Sequence, residues 1–328
     1  MAKLADVAAL AGVSITTVSR VINNYGAISA KTRTKVQSAM KELNYQPNSL
    51  ARSLQGKRTK LIGLIFPGVS NPFFGDLVQC LENQLFDQGY RVILCNSANN
   101  AEKEAAYVRM LLANQVDGII SGTHNLTIKE YEAIAAPVIA FDRHLGTTIP
   151  IVSSDNFEGG RLATNALVKT GARNIWIVTG ANRPLSPTNE RLRGYQAVMR
   201  QSALTPHVLE LPFSMSAQLK WVRLQQLIQT QRPEAVFATD DLTALMIEEI
   251  ARTQKVAIPG QLKLIGYDGT AAVRTTHPGL ATIVQPISAL SKLMIDLLTT
   301  RIEDKNATLE SQYVLPAELH AGTTLLGD

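Results

Sequence analysis

Apolar residues follow two rhythms along this chain, and the change comes near residue 61. Before it they recur three and four apart. Val7, Ala8 and Ala11 form one short helical face, Gly12 and Val13 interrupt it, and Ser14 stands where a side-chain oxygen can cap the next helix. In that next helix Val18 and Val21 point to a core, which sends Thr16 and Arg20 to the opposite, exposed face with Ile15 beside them. A third helix follows, capped by Ser29 and striped by Val36, Met40 and Leu43, until Tyr45, Gln46, Pro47 and Asn48 end it. The spacing predicts a small all-α head built on helix, tight turn, helix.

From Leu61 the apolar residues come in continuous runs instead: LIGLIF, RVILCN, DGIISG, PVIAFD and IPIVSSD, then NIWIVTG, AVFAT, KLIGYD and ATIVQP. Helical patterns separate most of them. Uninterrupted apolar strands alternating with helices are the pattern of parallel sheets covered on both faces, and two such series predict two Rossmann-like α/β lobes. Between head and body lies NSLARSLQGKRTK (48–60), helical in pattern for only about two turns, which is marginal alone. It reads either as a plain linker or as a hinge helix that orders on DNA.

Charge sharpens this division. The first sixty residues hold ten Lys and Arg against Asp6 and Glu42, a formal +8, whereas the 328-residue chain carries only +5. A basic head on a mildly acidic body suits a protein that docks one end on a polyanion. The head's second helix then reads as a recognition helix: Ile15, Thr16 and Arg20 can meet base edges in a major groove, while Thr17 and Ser19 suit phosphate oxygens. Cys80 and Cys95 lie in apolar runs and read as core thiols, which favours a reducing compartment. The N-terminus lacks the apolar stretch of a signal peptide, so the expectation is a cytoplasmic protein.

Ligands of open α/β sheets bind beyond the carboxyl ends of the strands, so the residues just after each run are the candidates. Asn71, Phe73 and Phe74 follow LIGLIF, Asp142 and Arg143 close PVIAFDR, Arg191 lies in NERLRGY, Asp240 and Asp241 follow AVFAT, and Asp268 ends KLIGYD. An apolar wall with fixed hydrogen-bonding groups suits a sugar, which presents C–H faces and a ring of hydroxyls. The alternative is that the aromatics are core and the charged residues pair between lobes. Neither GxGxxG nor GxxxxGK[ST] occurs, the five histidines are scattered singly, and no metal-ligand spacing or nucleophile elbow is present. No enzyme, metal or cofactor is expected.

DVAALAGVSITTVSRVIN (6–23), YQPN (45–48) and ARSLQGK (51–57), in this order and spacing, resemble the LacI/GalR family of bacterial transcription repressors. The resemblance spans the chain, and CNSANN, ANQVDGIISGTHN and IPIVSSDNFEGGR are similar to the subgroup governing sucrose operons in Gram-positive bacteria. It implies a periplasmic-binding-protein-like body and a homodimer on a palindromic operator, with Leu54 of paired hinge helices prying the central base step apart. The DNA-facing set becomes Ser14, Ile15, Thr16, Thr17, Ser19, Arg20, Asn23, Asn48, Ala51 and Leu54. The effector-facing set is Asn71, Phe73, Phe74, Arg143, Arg191, Asp240, Asp268 and Gln285. The implied domains are a head over 1–47, a hinge over 48–60 and a sensing and dimerisation body over 61–328. Within the body, lobe 1 takes about 61–160 plus 289–317, and lobe 2 about 161–288 plus 318–328. One departure is Lys3 at the first helix's N-cap, where a hydroxyl is usual. The chain shows no leucine-heptad tail after ELHAGTTLLGD, so a dimer is the expectation. A regulator of ribose or fructose, or a global catabolite regulator with a phosphoprotein partner, is the competing reading.

Overall fold

A computed structural model describes residues 2–23, 25–46, 58–122, 131, 134–181 and 186–326. The chain divides into two compact units, up to Thr59 and from Lys60 onward. Asn48, Ala51 and Leu54 lie outside the described residues.

Among the described residues the head has three helices, α1 (Leu4–Ala11), α2 (Ile15–Ile22) and α3 (Ala30–Glu42). Gly12 ends α1 in the left-handed conformation (φ 63°) that a residue without Cβ adopts freely. Without a hydroxyl at Lys3, Asp6 closes the first turn from the other side, accepting the Lys3 backbone N–H at 2.7 Å. Ser14 and Ser29 cap α2 and α3 through the amides of Thr17 and Thr32. Val7, Val18 and Val36 are fully buried at the centre. On α3, Ala39 joins Val36 in the core while Met40 and Leu43 pack at its edge, because the small side chain sits where the helices come closest.

The body holds two six-stranded sheets. The first, ordered β11-β5-β4-β3-β1-β2, comprises β1 (Leu61–Phe66), β2 (Arg91–Asn96), β3 (Gly118–Ser121), β4 (Val138–Phe141), β5 (Ile151–Ser154) and β11 (Gln312–Leu315), all parallel. The second, ordered β12-β10-β9-β8-β6-β7, comprises β6 (Ile175–Thr179), β7 (His207–Glu210), β8 (Ala235–Ala238), β9 (Lys263–Asp268), β10 (Ala281–Val284) and β12 (Glu318–His320), with only β12 antiparallel. The nine runs read from sequence are all strands; eight are largely buried, and β2 is a half-exposed edge strand. β7, β11 and β12 were not legible as runs, because these edge strands are only partly buried and carry mixed residues.

The chain passes between the lobes three times. The first passage falls at Asp155, where the sequence placed the boundary near 160, because the helix it caps, Asn156–Lys169, packs into the second lobe's core. Gln285 and Pro286 lead back to Ile287–Glu303, which packs into the first lobe from its opening residue, and Leu315 to Glu318 crosses once more. Helices Asn156–Lys169 and Glu190–Gln201 cross with backbones nearly touching. A Cβ on Gly160 would collide with the Arg191 carbonyl, and one on Gly194 with the Phe157 carbonyl. Gly194→Ala is therefore expected to cost about 1 to 3 kcal/mol, read as a lower midpoint in denaturant titration. An unchanged midpoint would mean that the two helices can part freely.

Candidate functional site

In the head, α2 divides its residues by face. Val18 and Val21 are buried, while Ile15, half of whose surface is exposed, Thr16 and Arg20 face outward. Ser14 and Thr17 are bound to each other (Oγ to Oγ1, 2.8 Å), and Asn23 donates to the Ser19 carbonyl at 2.8 Å. The fully outward chemistry of the helix itself is thus a methyl-bearing N-terminus and one guanidinium. Such a surface can meet base edges with Ile15, Thr16 and Arg20.

In the body, a cleft of about 390 Å³ opens between the two lobes at the carboxyl ends of their strands. Every effector-facing residue named from the sequence lines it. One side is aromatic: Phe73 stacks on Phe141 (5.8 Å between ring centres) and meets Phe74 edge-on (5.6 Å). Asn71 starts that helix, its Oδ1 accepting the Phe73 N–H at 2.8 Å. Both alternatives weighed for the aromatics hold at once, since Phe73 is buried in the first lobe's core and still borders the cleft.

Arg191 is the centre of the polar side. Its guanidinium lies 3.6 Å over the Tyr267 ring, donates through Nε to Asn156 Oδ1 and through one terminal nitrogen to the Thr239 carbonyl, both at 2.7 Å, and stands 3.9 Å from Asp142 and 3.8 Å from Asp268. Asn156 in turn donates to Asp142 Oδ1 at 2.8 Å. Gln285 donates to Asp268 Oδ1 at 2.8 Å and accepts from the Ser154 hydroxyl at 2.7 Å. This chain of contacts joins the first lobe (Asp142, Ser154) to the second (Arg191, Asp268). Burial pushes the carboxyls of Asp142 and Asp268 above their ordinary range, with the nearby Arg191 opposing the rise in both. Both residues also hold unusual backbone, φ 54° at Asp142 and φ 111° at Asp268, of the kind that concentrates at working sites.

Asp240 faces the cleft while capping the next helix, its oxygens accepting from the amide and hydroxyl of Thr243. Asp241, grouped with it from sequence, turns away and is buried within the second lobe. Asn156, Thr239, Tyr267, Phe213, Met246 and Lys220 were not singled out. Asn156 follows directly on the run IPIVSSD, and the rule that ligand groups follow strands would have found it. No other line of reasoning from sequence reaches Lys220, which only its helix brings to the cleft.

A helical head with an outward-facing reading helix, together with a two-lobed body around a polar and aromatic cleft, defines a DNA-binding regulator with a sensing domain. Residues 3–48 match the bacterial regulatory proteins of the lacI family, and residues 59–317 match the periplasmic binding proteins and sugar binding domain of the LacI family. The chain belongs to the LacI family. It is 53% identical to the sucrose operon repressor of Pediococcus pentosaceus, over 98% of this chain and 99% of that one. It is also 48% identical to the sucrose operon repressor of Streptococcus mutans, over 99% and 100%. Among solved structures, the lac repressor dimer bound to operator and the anti-inducer ONPF matches with a TM-score of 0.86 at 28% identity, covering 99% of each chain.

Proposed function

We propose that this chain represses a sucrose-utilisation operon from the cytoplasm, binding a palindromic operator as a homodimer and leaving it when a sugar fills the cleft. The observation that carries this reading is the lobe-spanning network around Arg191, set against an aromatic side, in a chain that also bears a reading helix. Vicinal hydroxyls pair with carboxylate and guanidinium groups, and a sugar's C–H face packs on Phe73 and Phe74. The 53% identity to a sucrose operon repressor supports the choice of sugar.

A ligand held by both lobes favours one relative rotation of them, and it can shift operator affinity only by its differential affinity for the two states. A coupling of about 1 to 3 kcal/mol corresponds to about 5- to 150-fold. Fluorescence anisotropy on duplex DNA from the chain's own promoter region, at fixed salt, tests this with sucrose, fructose, ribose and their phosphates. The expected result is tight binding that sucrose weakens by such a factor. Tight binding indifferent to every sugar would discard sucrose as the effector and point to another ligand or a protein partner.

A further inference from the structure

Asp241 stands directly beside the cleft residue Asp240 yet lines no part of the cleft. Its carboxylate is buried, 2% exposed, behind the end of β9. One oxygen accepts the Gly269 N–H at 2.8 Å and the other accepts the Thr282 hydroxyl at 2.6 Å, which ties the start of the helix Asp241–Thr253 to the turn after β9 and to the body of β10. It also fills the space over Gly266, where a Cβ would collide with it. The segment it grips is the strained one: Asp268 at φ 111° and Gly269 at φ 58°. An unusual backbone persists only where its surroundings over-determine it, and the Gly269 amide is the first hydrogen-bonding group beyond Asp268.

We propose that Asp241 is a positioning residue for effector recognition, holding the Asp268–Gly269 turn so that the Asp268 carboxylate stays on Gln285 and Arg191. This rests on the reading of the cleft as a sugar site. A carboxylate is what the position requires: each of its two oxygens accepts from a different donor, whereas an amide would turn a donating NH2 toward one of them. Its retention is costly, since burial pushes its carboxyl up to about 7, against the opposing hydrogen bonds from Thr282 and Gly269, with neighbouring Asp240 adding to the rise and the Tyr267 N–H opposing it. The other charged groups around it are Asp268 across the turn, Arg191 beyond Asp268, and Arg274, whose Nε donates to the Gly269 carbonyl at 3.0 Å.

The test compares full-length wild type, Asp241→Asn and Thr282→Val for sucrose binding by titration calorimetry at about pH 8 and pH 6, alongside operator binding without sugar. Asp241→Asn is expected to weaken sucrose binding about tenfold or more at the higher pH with operator affinity retained, and Thr282→Val to do the same more mildly. Wild-type sugar affinity is expected to fall as the pH drops through about 7, where the Asp241 carboxyl takes up its proton, and Asp241→Asn, which has no proton to gain there, is expected to lose that fall. Equal sucrose affinity in wild type and Asp241→Asn would overturn the proposal. If the wild type itself binds no sugar, the cleft reading fails. A ligand-free crystal structure of Asp241→Asn then decides the positioning claim separately: an unmoved Asp268, still on Gln285, would overturn it.

Discussion

Replacing Arg191 by methionine is expected to yield a protein that still grips its operator but no longer releases it for sugar, and that unfolds more easily by about 3 to 5 kcal/mol. The side chain is 9% exposed and holds together groups from both lobes. Methionine fills much of the volume but leaves Asn156 Oδ1 and the Thr239 carbonyl without their donor, and Asp142 and Asp268 without their nearest cation. The pH dependence has a definite sign. Both carboxyls already titrate above their unfolded values, so the folded state holds more protons than the unfolded one, and stability from these groups is lost as pH rises through the folded pKa. Removing the guanidinium raises both further. Denaturant titrations should show the smallest deficit in acid and the largest on the alkaline side. A uniform deficit across pH would mean that Arg191 acts through Tyr267 and its neutral acceptors on Asn156 and Thr239, and not through the two carboxyls.

Arg20→Ala is expected to cost about 1 to 3 kcal/mol of operator affinity and to relax discrimination at one base position per half-site. The exposed guanidinium sits with Thr16 on the face of α2 opposite Val18 and Val21. Because the substitution leaves that buried face intact, the head should stay folded, and the loss reports contact rather than collapse. Anisotropy over a panel of operator variants reads the difference. A loss equal for every variant, accompanied by a shallower salt dependence, would reassign Arg20 to a phosphate.

The head was legible in the sequence because everything about it is local: a cap, a glycine and two valines three apart decide which face of α2 looks outward. The buried strands were legible for a similar reason, as a strand covered on both faces must be apolar throughout. β7, β11 and β12 escaped because these short edge strands mix polar with apolar residues, whereas the edge strand β2 kept the apolar run VILC. The cleft was partly legible. Strand ends gave the aromatic pair, Arg143, Asp240 and Asp268, but adjacency could not separate Asp240 from Asp241. Which carboxylate faces the cleft and which faces the core is set by the direction in which one helix leaves its strand, and Asp241 packs over Gly266 and bonds Thr282 on the core side. The near-contact of the two helices at Gly160 and Gly194, which positions Arg191, likewise has no periodic signature.

The triple passage between lobes sets an order of completion during synthesis. The head needs only residues up to about 46 and is finished as soon as they are free of the ribosome. Neither lobe is contiguous. The first sheet waits for Gln312–Leu315 and for the helix Ile287–Glu303, and the second for Glu318–His320. The residues of the reading helix thus emerge well before those that complete the sensor, and a fragment cut before Gln312 carries the former without either sheet complete. Response to sugar is in this sense a property of the nearly completed chain.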